Sequence, residues 1–354
     1  MEKFKELIIK GNIPLLKAMQ ILDNTEGKNL FVVDHRSQFI GSVTDGDIRR
    51  WILNGGKLDS PIISAAWRDA FTVRNPYTDA DVKAEMAERD IHFVPILNER
   101  NEIEDILCND SAIESIGDRT TINALDIPVV IMAGGKGTRL DPFTRILPKP
   151  LIPIGDKSIL EIIIEKFLPY QVDHFYLSVN YKSAIIKSYF QEINPDYELS
   201  FIDEEKPLGT VGSLSKLVGK YKTPVLLTNC DNIIDADFND IKHHHLKMKN
   251  DITMVASVKN YHIPYGVCEI EKGGNLLKIL EKPVYNYLVN TGMYIISQSA
   301  LEMIPVEQFF HVTHLMELIK KNGGQVGVYP ISDDSWADTG EWGEYKNAMK
   351  KIAE

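Results

Sequence analysis

The sequence predicts an α/β protein in which a doubly wound, mostly parallel sheet follows a smaller, duplicated module. Three observations support this prediction. From Ile127 onward, short apolar strands alternate with helices, the pattern of a parallel sheet covered by helices on both faces. Before that point, a helix followed by two strands occurs twice. The length of 354 residues favours two domains over one, which we place at 1–124 and 125–354.

Composition excludes several classes of protein. The chain is 44% hydrophobic and 25% charged, which is ordinary for a globular protein, and its net charge of −11 argues against a nucleic-acid surface. Cys108, Cys230 and Cys268 have neither disulfide nor zinc spacing. No apolar run approaches the ~20 residues of a membrane span, and the amino terminus lacks the apolar core of a signal peptide. We therefore expect a cytoplasmic protein with no nucleic-acid or membrane partner.

The smaller module consists of two similar halves. Its predicted elements are helices at 13–23, 48–53 and 78–90, and strands at 30–34, 39–43, 92–97 and 103–107. Phe31 and Phe93 each open a Phe-Val pair and lie 62 residues apart, so the unit looks duplicated. One copy cannot bury both of its faces alone, so the two copies should pack together.

The first copy carries a recognisable motif. The stretch 39–48, FIGSVTDGDI, resembles the most distinctive segment of a CBS domain, and paired CBS domains form a two-copy module. The resemblance implies that Thr44 and Asp47 contact the phosphate and ribose of AMP or ATP. The second copy has Leu107 where Thr44 stands, although Asp110 remains, which makes a second nucleotide site doubtful. A packing or dimerisation module without a ligand is the alternative. We also expect a homo-oligomer formed through this pair.

The larger domain begins with the apolar strand 127–132. Further strands are expected at 174–179, 199–203, 224–228 and 252–258, with helices at 158–170, 182–192, 211–220 and 238–249. Ligands of doubly wound sheets bind beyond the carboxyl ends of the strands. The residues that follow Met132, Val179 and Thr228 should therefore converge.

The turn 134–139, GGKGTR, is a candidate phosphate-binding loop because a glycine turn after a strand presents backbone N–H groups to anions. Arg139 and Lys149 lie where they could meet a triphosphate. The spacing does not match the P-loop pattern G-x-x-x-x-G-K-[ST]. A dinucleotide fingerprint would need a third glycine after Gly135 and Gly137, and none follows at that spacing.

The composite of G-x-G-T-R-L with P-K-P-L further on resembles the signature of sugar-phosphate nucleotidylyltransferases, which join a nucleoside triphosphate to a sugar 1-phosphate. The resemblance covers 127–354 and implies a Rossmann-like mixed sheet of the nucleotidyltransferase type, with Mg²⁺ as cofactor. It implies catalytic roles for Arg139, Lys149 and Asp231, and metal binding by Asp231 and Asp338. Implied nucleotide contacts are Ala133, Gly134, Gly135, Gly137, Thr138, Gly209 and Thr210. Implied sugar-phosphate contacts are Glu281, Lys282, Asn290, Thr291 and Gly292.

Elementary chemistry agrees with these roles. Attack of a sugar-phosphate oxygen on the α-phosphorus brings two polyanions together, so the protein must neutralise charge and align the reactants. No covalent nucleophile is needed. The competing class is a non-catalytic sensor of adenylate or sugar nucleotide. A sensor would not need both acidic residues, so their presence favours catalysis.

Base and sugar identity depend on weaker signals. A CBS pair ahead of this domain resembles the glucosamine-1-phosphate guanylyltransferases of legionaminic acid biosynthesis. Glu205, before the PLGT segment, resembles mannose- and glucosamine-type guanylyltransferases. GTP with glucosamine 1-phosphate, giving GDP-glucosamine, is the favoured pair, while other bases and sugars such as mannose 1-phosphate stay open. Cys230 is interpreted as a small buried hydrophobe and His243 to His245 as a solvated helix face.

Overall fold

The computed structural model describes residues 2–25, 29–89, 91–109 and 123–353. It divides into two compact units, 1–121 and 122–354. Asp110 of the second copy lies outside the described residues. Among the described residues, no helix combines the length and apolar character needed to cross a membrane.

The first unit contains two three-stranded sheets with the same topology. Their strands are β1 (Ile8–Lys10), β2 (Asn29–Val33), β3 (Phe39–Thr44), β4 (Val73–Arg74), β5 (Phe93–Leu97) and β6 (Ile103–Cys108). The helices are α1 (Leu15–Asn24), α2 (Asp45–Leu53) and α3 (Asp79–Glu88). In each sheet the first strand is parallel to the second and the third is antiparallel to it. The sequence analysis missed β1 and β4 because two or three residues show no periodicity.

Local sequence explains how α2 begins. The Thr44 hydroxyl accepts a hydrogen bond from the Asp47 N–H at 3.3 Å, and the Asp47 carboxylate accepts one from the Thr44 N–H at 2.9 Å. This capping box starts the helix at Asp45, three residues earlier than predicted. Phe31 and Phe93 occupy one buried cluster with Leu7 and Ile106, so the two copies pack together as expected.

The second unit contains a large sheet and three two-stranded sheets. Its strands are β7 (Val129–Met132), β8 (Pro153–Ile154), β9 (Lys157–Ser158), β10 (His174–Val179), β11 (Glu198–Asp203), β12 (Val225–Asn229), β13 (Asn232–Ile234), β14 (Ile252–His262), β15 (Val267–Ile270), β16 (Leu276–Leu280), β17 (Val284–Ile296), β18 (Val326–Ile331) and β19 (Trp336–Asp338). Its helices are α4 (Ile159–Glu165), α5 (Ser183–Ile193), α6 (Phe238–Lys247), α7 (Gln298–Leu301), α8 (Val312–Lys321) and α9 (Trp342–Ala353).

Seven strands form one mixed sheet in the order β11-β10-β7-β12-β17-β14-β18. Neighbours are parallel except where β17 pairs with β12 and β14. Along β7, Val129 and Ile131 enter one hydrophobic cluster and Val130 enters another. Since side chains alternate across a strand, the sheet is covered on both faces, which confirms the doubly wound α/β class.

Three differences from the predicted elements of the second unit have a clear structural basis. Helix α4 ends at Glu165, and a separate 3₁₀ turn, Leu168–Tyr170, contains Pro169, which cannot continue a helix. The helix expected at 211–220 is a 3₁₀ turn, Gly212–Leu217, in a segment with two glycines. Strands β14 and β17 run on as a long ribbon, and the β15–β16 hairpin between them was not predicted.

Candidate active site

A cavity of about 370 Å³ opens at the carboxyl ends of β7 and β12. The expected convergence after these strands is therefore present. Nine predicted residues line the cavity: Gly134, Gly135, Gly137, Thr138, Arg139, Lys149, Gly209, Thr210 and Asp231. It is also lined by residues that the sequence analysis did not assign to a site, among them Met132, Glu204, Asn229, Phe309 and Gly340.

The glycine loop presents free donors to this cavity. Within the described residues, the backbone N–H groups of 134–137 donate to no protein acceptor. Gly137 has a φ of +64°, and a Cβ there would lie 2.9 Å from both Thr144 Cγ2 and Lys149 Cβ. Only glycine meets both conditions without strain. The loop therefore has unpaired backbone N–H groups, which are available to bind an anion.

Lys149, Asp231 and Asp338 come together beside Gly340. A Cβ on Gly340 would lie 2.7 Å from Asp231 Oδ2, 2.8 Å from Asp338 Oδ1 and 2.9 Å from Lys149 Nζ. The Lys149 ammonium donates to Asp231 Oδ2, and the two residues are only 8% and 9% exposed. Tertiary structure creates this cluster, because β13 pairs antiparallel with β19 and sets Asp338 beside the residue that follows Asp231.

The electrostatics of this cluster suit a divalent cation. Burial raises the pKa of Asp338 above its ordinary value, and the nearby charge of Asp231 raises it further. Two carboxylates held this close repel each other, and Mg²⁺ is commonly bound through one or two carboxylates. Within the described residues, no group of three or more His, Cys, Asp and Glu side chains is arranged to hold a metal. Asp231 and Asp338 therefore fit a cation that takes its remaining ligands from elsewhere.

Arg139 lies at the exposed rim of the cavity. Its guanidinium pairs with Glu341 at 3.0 Å, and more than half of each side chain is exposed. Exposed pairs of this kind contribute only about 0–1 kcal/mol, so Arg139 can exchange this partner for an anion at little cost.

Glu204 places a buried carboxylate among the residues that line the cavity. It is 8% exposed, and its two oxygens accept hydrogen bonds from Ser178 Oγ at 2.5 Å and from the Leu208 N–H at 2.9 Å. Each carboxylate oxygen can accept a further bond. Glu205, which the sequence analysis favoured, is exposed instead. Sequence could not choose between adjacent glutamates, because the choice depends on which side chain faces inward.

Phe309 forms a wall that sequence did not suggest. It is 57% exposed and lines the cavity. The Phe310 N–H donates to Leu208 O at 2.9 Å, which attaches this segment to the Gly209 loop. Gly209 has a φ of +79°, and a Cβ there would lie 2.5 Å from Phe310 O, so glycine is required. No local pattern could have paired segments a hundred residues apart.

The remaining predicted nucleotide and sugar contacts lie outside the residues that line the cavity. Ala133 is buried, and its N–H donates to Ser178 O at 2.7 Å. Glu281 and Lys282 are exposed in the turn between β16 and β17. Their roles stay predictions.

The motif 290–292 forms a β-bulge in β17. The register passes from Met293 opposite Val255 to Asn290 opposite Ala256, so Thr291 and Gly292 are extra residues. The buried Thr291 hydroxyl donates to Val255 O at 2.9 Å, so its side chain is used within the sheet. A Cβ on Gly292 would lie 2.5 Å from Asn229 Nδ2, which places the bulge against a cavity residue.

The structure tests two interpretations that gave no functional role to the residues concerned, Cys230 and the run His243 to His245. Cys230 is buried, and burial raises the pKa of its thiol to about 12, so it behaves as a small hydrophobe. The solvated-face interpretation is wrong for two of the three histidines. His245 is buried with Nδ1 2.9 Å from Thr253 Oγ1, and the His244 ring packs on Tyr329, while only His243 is exposed.

Comparison with known families agrees with this geometry. Residues 128–354 match the family model described as nucleotidyl transferase, and residues 4–54 match that of the CBS domain. The chain belongs to the nucleotidyl transferase family. A CBS domain precedes its nucleotidyl transferase domain, as the motif in 39–48 indicated.

Several relatives are guanylyltransferases. A mannose-1-phosphate guanyltransferase of Debaryomyces hansenii is 33% identical over 187 residues, which cover 50% of this chain and 52% of that protein. A D-glycero-alpha-D-manno-heptose 1-phosphate guanylyltransferase of Campylobacter jejuni is 28% identical, covering 60% of this chain and 93% of that one. The crystal structure of HddC from Yersinia pseudotuberculosis matches with a TM-score of 0.51 and 26% identity, covering 64% of this chain and 99% of that one. The chain spans about half the length of the curated mannose-1-phosphate relatives it matches.

Proposed function

We propose that this nucleotidyl transferase joins a nucleoside monophosphate, taken from a nucleoside triphosphate, to a sugar 1-phosphate and releases pyrophosphate. The observation that carries the proposal is the convergence of Lys149, Asp231 and Asp338 at Gly340, beside the free N–H groups of the glycine loop. The cationic side chains and free N–H groups are suited to bind phosphates, and the paired carboxylates fit a metal. That combination suits phosphoryl transfer, in which charge neutralisation and alignment supply most of the catalysis.

Each residue has a defined task in this reaction. A sugar-phosphate oxygen forms a bond to the α-phosphorus while the bond from that phosphorus to the bridging oxygen breaks, and the electron pair leaves with pyrophosphate. The glycine-loop N–H groups and Arg139 hold the leaving phosphates. Lys149 exchanges Asp231 for a phosphate oxygen and neutralises its charge. Asp231 and Asp338 would hold Mg²⁺, which supplies positive charge to the phosphates when bound.

Guanine is the base that Glu204 suits best. A carboxylate only accepts hydrogen bonds, and the Watson–Crick edge of guanine presents two adjacent N–H donors. Adenine presents one N–H donor group there, beside the N1 acceptor, and cannot match this pattern. The guanylyltransferase names among the relatives support the same choice. A relative from Synechocystis named UTP--glucose-1-phosphate uridylyltransferase, 27% identical, makes base specificity a necessary measurement.

We favour glucosamine 1-phosphate as the sugar substrate and GDP-glucosamine as the product. A CBS domain ahead of the nucleotidyl transferase domain supports that choice, because this arrangement resembles the glucosamine-1-phosphate guanylyltransferases of legionaminic acid biosynthesis. Glu281, Lys282 and Asn290 are the proposed sugar-phosphate contacts, with Thr291 and Gly292 shaping the bulge that positions Asn290. Mannose 1-phosphate and manno-heptose 1-phosphate are the first alternatives, since relatives carry those names.

A matrix of nucleoside triphosphates against sugar 1-phosphates tests the proposal, with Mg²⁺-dependent pyrophosphate release and product mass as readouts. We expect turnover with GTP and a GDP-hexosamine mass. Lys149→Ala and Asp231→Ala should each reduce turnover roughly 10²-fold or more. Lys157→Ala is the matched control, because Lys157 pairs with Glu165 at an exposed site. Absence of turnover with every pair would leave the competing hypothesis, a non-catalytic sensor.

A specific observation favours a second function for the amino-terminal unit. A cavity of about 540 Å³ in this unit is lined by Thr44, Asn29 and Arg89, among others. The buried Asn29 Oδ1 has no hydrogen-bond partner among the described residues. A buried polar atom without a partner is costly, so a ligand donor is expected there. Asp47 is not among the lining residues, since it caps α2 and pairs with Arg50.

We therefore propose that AMP or ATP binds this cavity through Thr44 and Asn29, with Asp47 acting through the cap that orients Thr44. Calorimetric titration of both nucleotides into wild type and Thr44→Val gives the test. Heat that disappears in the variant supports binding. No heat at millimolar nucleotide would leave the alternative, an oligomerisation role, which analytical ultracentrifugation then measures.

A further inference from the structure

Lys182 makes an unusual set of contacts directly before α5. Its ammonium donates to the carbonyl oxygens of Thr144 at 3.2 Å, Arg145 at 2.6 Å and Ile146 at 2.9 Å. A lysine ammonium has three N–H donors, so all three are used. These carbonyls end the 3₁₀ turn Phe143–Arg145, where carbonyl groups otherwise have no helical partner.

The 3₁₀ turn Phe143–Arg145, which the Lys182 ammonium binds, belongs to the segment between the two basic residues of the active site. Arg139 precedes it and Lys149 follows it. Thr144 is buried, and its methyl group lies 2.9 Å from where a Cβ on Gly137 would be, beside Lys149 Cβ. Contacts therefore run from the Lys182 ammonium through Thr144 to the glycine loop and the Lys149 stem.

The backbone of Lys182 is strained. Its φ is 54°, in the left-handed region that lysine adopts at a cost and that asparagine or glycine adopts readily. Its neighbour Tyr181 donates its N–H to Gly134 O at 3.3 Å, so this turn also contacts the glycine loop. A strained residue persists only where surrounding contacts hold it, and such residues concentrate near functional sites.

We propose that Lys182 is a positioning residue whose ammonium holds the 138–149 loop, and with it Arg139 and Lys149, in the geometry that binds the triphosphate. This inference rests on the proposed function. It concerns order in the loop rather than contact with substrate. It explains why a lysine, with its three donors around one nitrogen, occupies a backbone conformation that disfavours it.

Lys182→Asn separates the two roles of this residue. Asparagine suits the left-handed backbone, which offsets part of the stability lost when the three carbonyls lose their donor, so the thermal midpoint should fall only slightly. Lys249→Asn is the matched control, because Lys249 is another left-handed lysine, with a φ of 53°, exposed after α6. Lys182→Arg keeps the charge but replaces the single donor nitrogen with a planar guanidinium, so partial rescue is expected.

Two readouts decide the inference. In Lys182→Asn, hydrogen exchange of the 138–149 amides should accelerate at least tenfold, and kcat should fall about 10- to 100-fold, the range for losing charge-assisted hydrogen bonds. KM for the sugar 1-phosphate should stay within about twofold, since the contacts proposed for this loop are to the triphosphate. Wild-type exchange of these amides in Lys182→Asn would overturn the proposal, whether or not a substrate pair is found. An equal loss of kcat in Lys249→Asn would also overturn it. If wild type turns over no substrate but exchange accelerates, the proposed function fails and the loop-holding role stands.

Discussion

The buried ion pair between Lys149 and Asp231 offers the sharpest test of the site. Removing one partner of a buried pair costs about 3–5 kcal/mol, because the other charge stays buried and uncompensated. Lys149→Met keeps the length of the side chain and leaves Asp231 unpaired beside Asp338, whose pKa burial has already raised. We expect Lys149→Met to lose about 3–5 kcal/mol of unfolding free energy at pH 7 in chelator.

The double variant Lys149→Met/Asp231→Asn should recover most of this stability. It removes both charges, and replacing a buried pair by neutral groups is often close to neutral. We expect it to lie within about 1–2 kcal/mol of wild type, so that it is clearly more stable than Lys149→Met. Its turnover should stay reduced at least 10²-fold, because the charges needed for phosphoryl transfer are gone. The double variant would then recover stability without recovering activity, which separates the two roles of this pair of residues.

Urea denaturation followed by tryptophan fluorescence measures these energies. In a background with Trp51 and Trp67 replaced by Phe, the remaining tryptophans, Trp336 and Trp342, report on the second unit. Equal m-values across the series are required, since a change in m would indicate a change in the unfolded or native state.

An exposed pair supplies the matched control. Lys157→Met breaks the contact of Lys157 with Glu165, which lies at the surface and should cost under about 1 kcal/mol. The reasoning is refuted if Lys149→Met is no less stable than this control. It is also refuted if the double variant is as unstable as the single one.

Three further outcomes follow from the structure. Burial lowers the pKa of His245 to about 4, so as pH falls the unfolded chain gains a proton near pH 6.5 that the folded chain does not bind. Unfolding free energy should therefore drop by about 2 kcal/mol between pH 7 and pH 5, and His245→Gln should lack this part of the drop in urea titrations. Asp338→Asn should raise the unfolding free energy at pH 7 in chelator, because it removes a buried carboxylate whose pKa is raised. This gain should shrink as the pH falls, since the wild-type carboxyl group then becomes protonated. The turnover of Asp338→Asn should fall at least 10²-fold. Phe309→Ala should raise KM for the triphosphate about tenfold with kcat within about threefold, as expected for a lost stacking surface at the cavity, while Phe309→Trp should keep the wild-type KM in steady-state assays.

Local patterns account for what the sequence predicted well. The strand 174–179 has the bounds of β10, because its β-branched and aromatic residues lie between turn residues. Helix α2 begins at a capping box that is visible as T-D-G-D. The glycine loop was recognised through the composite of G-x-G-T-R-L with P-K-P-L, because a glycine turn after a buried strand does not by itself exclude a dinucleotide-binding loop.

Long-range contacts decided the rest of the site. Glu204 and Glu205 are equivalent in sequence, and only packing against Ser178 buries the first of them. His245 follows two histidines on one helix, yet its position against β14 buries it. Helix periodicity could not predict the burial of His245, because it does not show which neighbouring element packs against each face of the helix.

The sequence by itself determined the fold class, the CBS motif and the phosphate loop. It also identified residues suited to the chemistry, but only as separate segments. Tertiary structure alone brought Lys149, Asp231 and Asp338 to one point, through the pairing of β13 with β19. It also placed the Lys182 ammonium against a backbone carbonyl of the loop that carries Arg139 and Lys149. The physical reason is range: propensity, capping and turn chemistry act over a few residues, while an active site is made by packing that joins distant strand ends.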